Sequence, residues 1–117
     1  MPFVFVWGLP EKVSNEALLE LRDTIVVKLA ENMNIDQSWI RVFFPQDRLS
    51  RVSSGNNNIY VTIETGMFFT QNEDNLPKGA TSLVAQIIWE MLESQYEVEC
   101  FVGNHNPKWV TLIHAKQ

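Results

Sequence analysis

Two hydrophobic periods alternate along the chain. Residues 1–7, Met-Pro-Phe-Val-Phe-Val-Trp, form a run of β-branched and aromatic residues. They read as a strand, ended by Gly8-Leu9-Pro10. The period then lengthens. Leu18, Leu21, Ile25, Leu29 and Met33 recur three and four apart, with Leu19 and Val26 widening the stripe. That spacing predicts an amphipathic helix over 14–32. Ser14 suits the N-cap, and Val13 can staple onto Leu18. Glu16 and Glu20 lie where the helix dipole favours acids. Asn32, Asn34 and Asp36-Gln37-Ser38 mark the helix end.

Trp39 to Phe44 is predicted as a second strand, stopped by Pro45. Ile40, Val42 and Phe44 take one face; Trp39, Arg41 and Phe43 take the other. Strand, helix, strand makes a βαβ unit with parallel strands and a right-handed crossover. Residues 45–58, with Arg48, Arg51 and three consecutive asparagines, read as a solvated loop with a short edge strand near 47–52. From Ile59 to Thr65 the pattern alternates, with Ile59, Val61 and Ile63 on the core side. Pro77 suits a first helical turn, and Val84, Ile87, Ile88, Met91 and Leu92 mark a second helix over 78–95. Tyr96 to Val102 is the fourth main strand, ended by Gly103-Asn104. Trp109 to Ile113 is a last short strand.

The second half thus repeats the order of the first. The expected fold is α+β: one domain over 1–117, with pseudo-repeats of about 1–57 and 58–117. Two βαβ units build a four-stranded mixed sheet with both helices on one face and short extra strands at subunit edges. The opposite face is left bare. Another copy of the chain is the available cover, and a symmetric ring is a natural solution.

Composition narrows the function classes. Of 117 residues, 45% are hydrophobic and 20% charged, which is globular. The formal charge of −5 argues against a general nucleic-acid binder. No apolar run is long enough to cross a membrane, and no signal segment opens the chain. Cys100 is the single cysteine, so no internal disulfide forms and a cytoplasmic location is expected. Seven Phe and four Trp are many for this size, which suits rings buried between subunits.

Pro2 admits two readings. It starts a strand, a position proline tolerates. Alternatively, removal of Met1 leaves a secondary amine. A free α-amino group titrates at about 7.7–8.0, and an apolar wall or nearby cation lowers that. Such a base is suited to proton transfer near neutral pH. If Met1 stays, the nitrogen is an amide and the chemistry is absent. Arg41, in mid-strand, needs a carboxylate, a phosphate or solvent at a cleft.

Pro2, the first strand, the turn with Pro10 and Lys12, the capped helix, Trp39-Ile40-Arg41-Val42 and Pro45-Gln46-Asp47 together resemble the tautomerase superfamily. That superfamily includes 4-oxalocrotonate tautomerase and macrophage migration inhibitory factor. The resemblance covers residues 2–48 well and 58–102 as order of elements. It implies a homotrimer of tandem βαβ chains in which Pro2 is the catalytic base or acid. Arg41 matches a substrate-binding arginine on the second strand, and Lys12 lies near the site of another. Lysine lacks the two-pronged grip of arginine. Glu99 and Phe101 fall about where that superfamily has pocket residues, and Trp7 and Phe43 are further pocket walls. A carboxylate at Glu99 repels an acidic substrate or serves as a second acid/base.

The implied function is isomerase-like proton transfer on a small 2-oxo or enol acid, acidic or aromatic, without a cofactor. The alternative is a catalytically silent assembly or binding protein on the same fold. His105 and His114 lack the spacing of a metal site. Cys100 reads as a buried, inert thiol and Met67-Phe68-Phe69 as core or interface.

Overall fold

The computed structural model describes residues 2–45, 58–66, 75–104 and 113, with backbone alone for 75–77 and 104. The elements are β1 (Phe3–Trp7), α1 (Asn15–Met33), a 3-10 turn (Gln37–Trp39), β2 (Arg41–Phe43), β3 (Ile59–Thr65), α2 (Asn75–Met91) and β4 (Val98–Asn104). The sheet order is β2-β1-β3-β4. β1 pairs parallel with β2 and antiparallel with β3, and β3 pairs parallel with β4. This is the expected four-stranded mixed sheet of two βαβ units.

Local chemistry sets the boundaries. The Ala17 amide donates to Ser14 Oγ at 3.1 Å, so α1 begins at the predicted cap. Its end is the left-handed Asn34, whose amide donates back to the last carbonyls. The strand expected over 39–44 is shorter. Asp36 Oδ1 accepts from the Ser38 amide at 2.8 Å and the Trp39 amide bonds the Asp36 carbonyl at 3.1 Å. This winds Gln37–Trp39 into a 3-10 turn, and the ladder starts only at Arg41. The two hydrogen bonds from Ser38 hold the Asp36 carboxyl below its ordinary pKa.

The second helix starts earlier and stops earlier than the periodicity over 78–95 suggests. Pro77 does lie in its first turn. Beyond Met91, Glu93 (φ 58°) and Ser94 (φ 60°) are both left-handed, and the Ser94 amide donates to the Trp89 carbonyl at 2.9 Å. β4 is displaced by two residues at each end from the expected 96–102. Its partner dictates this: Ile59 to Thr65 pair in register with Val98 to Asn104, drawing Gly103 and Asn104 into the ladder. The expected strands near 47–52 and 109–113 fall outside the described residues, except Ile113, which is exposed and in no strand.

The core lies between the helices and one face of the sheet. Val4, Val6, Ile59, Val61 and Ile63 meet Leu21, Ile25, Leu29, Val84, Ile87 and Ile88 there. Leu19 is an exception to the predicted stripe: it is half exposed on the outer side of α1, one residue too far round the helix from Leu18. Among the described residues no helix is long and apolar enough to cross a membrane.

Candidate functional site

The bare face is real in the single chain and it is aromatic. Strand alternation turns Phe3, Phe5 and Trp7, then Arg41 and Phe43, away from the helices. Tyr60, Thr62 and Glu64 from β3 and Glu99 and Phe101 from β4 share that face. Phe3, Trp7 and Tyr60 are each 37% exposed, Phe43 43% and Phe101 50%. Phe5 stacks on Phe43 with centroids 5.0 Å apart.

The register arranges this face in three rows. Arg41, Phe3, Glu64 and Gly103 cross the strands at one end. Phe43, Phe5, Thr62 and Phe101 form the middle row. Trp7, Tyr60 and Glu99 lie at the far end.

The candidate site residues therefore separate into groups. Pro2 and Arg41 share one end, where the Arg41 amide donates to the Pro2 carbonyl at 3.1 Å. Pro2 is fully buried, and its ring falls on the helix side with Val4 and Val6. The Arg41 side chain lies on the open side. Its Nη1 donates to the Ser38 carbonyl at 2.6 Å, so the 3-10 turn holds the guanidinium at the sheet end. Phe43 and Phe101 stand in the middle row on the two edge strands, roughly 14 Å apart at ordinary strand spacing. Trp7, Glu99 and the exposed Lys12 lie at the opposite end from Pro2, with Trp7 roughly 17 Å from it along β1. One chain does not bring Lys12 or Glu99 to Pro2.

The two halves are related by an approximate two-fold axis through the central pair Phe5↔Thr62. Rotation about it carries Phe43 onto Phe101, Arg41 onto Glu99 and Pro2 onto Ile59. The corner equivalent to that of Pro2 holds a hollow of about 280 Å³ lined by Asn58, Glu97, Val98 and Glu99. Lys12 lies in the turn leading from this end of β1. Gly8 closes the strand here with φ +88°, and a Cβ on it would stand 2.7 Å from the Asn58 carbonyl oxygen.

Cys100 lies on the helix side between Val98 and Val102, as the alternation predicts, and burial pushes its thiol up to about 12. No group of three or more metal-ligating side chains occurs among the described residues. His105, His114 and Met67 to Phe69 lie outside them.

Sequence reasoning missed the contribution of the central strands. Tyr60 and Glu64 belong to the open face, and Thr65 is the one buried polar side chain among the described residues. The alternation from Ile59 to Thr65 carried that signal.

No protein-family model and no curated protein matches the chain. Solved structures are similar in fold. A protein of unknown function from Vibrio cholerae O1 biovar eltor superposes with TM-score 0.76 at 9% identity, over 95% of this chain and 83% of that one. A fused 4-OT, described as a wild-type asymmetric trimer, gives 0.71 at 10% identity over 88% and 85%. Pt0534, solved after inactivation by 2-oxo-3-pentynoate, gives 0.72 at 10% identity over 88% and 85%. The chain has the tautomerase fold, in its tandem βαβ form.

Proposed function

We propose that this protein transfers a proton on a small 2-oxo or enol acid, using the amine of Pro2 after loss of Met1. The observation that supports the reading is the position of Pro2 at the start of β1, at the same sheet end as Arg41, in a tautomerase fold. Apolar surroundings disfavour a cationic amine, so the free nitrogen stays neutral and basic near pH 7. It takes a proton from the enol hydroxyl or an acidic C–H of the substrate and returns it at another carbon. Arg41 binds the substrate carboxylate, and Lys12 polarises an oxygen. Phe43, Phe101 and Trp7 wall the pocket and Glu99 sets its charge.

These residues need more than one chain, because Lys12 and Pro2 occupy opposite ends of β1. We take the assembly to be a homotrimer whose open sheet faces pack together. Five partly exposed rings leave roughly 400 Å² of apolar surface, within the range of the largest patch on a typical monomer and often functional. Light scattering at micromolar concentration checks this; a monomer contradicts it.

The chemical test is 2-oxo-3-pentynoate, the inactivator of Pt0534. A neutral amine adds through its lone pair to the alkyne carbon remote from the ketone. The displaced π electrons take up a proton, and the nitrogen releases its own to solvent. The N-terminal peptide then gains the mass of one reagent molecule. Turnover of phenylenolpyruvate or 2-hydroxymuconate is the companion assay. An unlabelled Pro2 with no turnover leaves the fold as a silent assembly module.

A further inference from the structure

We infer that Asp36 is a positioning residue for Arg41: its carboxylate caps the 3-10 turn whose Ser38 carbonyl holds the guanidinium, and so presets the hold on the substrate carboxylate. The inference rests on the reading that Arg41 binds that carboxylate. The bonds run in series. Asp36 Oδ1 accepts from the Ser38 amide at 2.8 Å, and the Ser38 carbonyl accepts from Arg41 Nη1 at 2.6 Å. The Ile40 carbonyl accepts from the same Nη1 at 3.4 Å. The turn is tied at its far end as well. There the Ile40 amide donates to the Gln37 carbonyl at 3.1 Å, and the Ile40 side chain is buried in the core.

This turn lies on the edge of β1 to which the Pro2 nitrogen is directed. The Arg41 amide donates to the Pro2 carbonyl at 3.1 Å. In an extended residue the nitrogen and the carbonyl point to the same edge. The Pro2 nitrogen is therefore turned toward β2, the strand that the 3-10 turn leads into. A guanidinium carries five N–H donors in a planar fork. Nη1 of Arg41 is taken up by the two carbonyls of the turn. The edge made by Nε and Nη2 meets no acceptor among the described residues. That edge matches the two oxygens of a carboxylate.

The chemistry needs such order. Arg41 is exposed, and an untethered arginine samples many rotamers, whose loss on binding weakens the complex. A carbonyl fixed by a capped turn meets part of that cost before the substrate arrives. Asp36 is exposed and forms no ion pair with Arg41, so it acts through the backbone of the turn. Its charge by itself works the other way, because a carboxylate near the site repels an acidic substrate. Loss of the acceptor and loss of the charge therefore predict opposite changes in substrate binding.

The test follows Pro2 labelling at rising concentrations of 2-oxo-3-pentynoate and, separately, of its methyl ester, in the full chain with a native Pro2 terminus. The acid offers the carboxylate that Arg41 holds; the ester does not. Asp36→Ala is expected to raise the half-saturating concentration of the acid about fivefold, the scale of ordering one rotamer-rich side chain. The limiting rate should stay within a factor of two, and labelling by the ester should keep its wild-type rate. Asp36→Asn removes the charge, keeps the cap and restores the wild-type value for the acid. In an Arg41→Ala background, Asp36→Ala should add nothing. Thermal melting reports folding separately. Asp36→Glu keeps the charge and misplaces the acceptor, and it decides the matter should alanine prevent folding. If the wild type is not labelled, the Pro2 reading fails and this inference with it. If Arg41→Ala leaves the half-saturating concentration of the acid unchanged, the role of Arg41 fails and that of Asp36 with it. With both intact, an unchanged or lowered value in Asp36→Ala overturns the positioning role alone. So does an equal loss with acid and ester, or an Asp36→Asn profile like that of Asp36→Ala.

Discussion

The two corners related by the approximate two-fold share a strand register but differ in chemistry. At one, Pro2 begins β1 beside Arg41. At the other, Ile59 begins β3 beside Glu99, with Glu97 lining the same hollow. The order and pairing of elements are the same, because both halves solve one packing problem: a helix laid on two parallel strands. What the comparison teaches is that, within the strands, folding constrains the helix-facing positions most tightly. Val4, Val6, Val61 and Ile63 are interchangeable in kind, while the outward and terminal positions are free to specialise.

The largest expected difference between the corners is chemical. Pro2→Ala should reduce proton transfer at least ~100-fold, the usual scale for losing a general base. Glu97→Gln, at the other corner, should stay within a factor of two. Equal losses at both corners would end the proposed asymmetry. Gly8 comes next. Its positive φ and its approach to the Asn58 carbonyl both exclude a side chain. Gly8→Ala should destabilise by about 2–3 kcal/mol, read by chemical denaturation.

Arg41→Lys should raise KM about tenfold with a smaller change in kcat, since lysine makes a single contact with a carboxylate. An unchanged KM would move substrate binding elsewhere. Cys100 corresponds by the two-fold to Val42. Its thiol is raised to about 12 by burial, so the folded chain holds that proton more tightly than the unfolded one. Stability should not depend on this group below the unfolded thiol pKa. It should fall as pH rises from there toward 12, and Cys100→Val should remove that part of the slope.

The smallest effect concerns the helix ends. Asn34 and Glu93 are both left-handed, but asparagine tolerates that conformation and glutamate does not. Glu93→Gly should stabilise by about 0.5–1 kcal/mol, and Asn34→Gly should change little.

Much of this fold was legible from local pattern. The alternation in Ile59 to Thr65 and the three-and-four spacing in α1 are written by the core they face, and Ser14 marks its helix directly. The ends of β2 and β4 were less legible, because a side chain or a neighbouring strand sets them. The Asp36 cap winds Trp39 out of its strand, and the register with β3 draws Asn104 into another. The site was legible only in part. Pro2 and Arg41 were found as single residues, yet their placement depends on strand order. Sequence spacing alone does not show that Lys12 lies at the far end of β1 from Pro2.

The most direct measurement is the mass of the N-terminal peptide before and after treatment with 2-oxo-3-pentynoate at neutral pH. A peptide that begins at Pro2 and gains one reagent mass on that residue is the expected result. A peptide that keeps Met1, or a free Pro2 that stays unmodified while the chain is folded, would contradict the proposed chemistry.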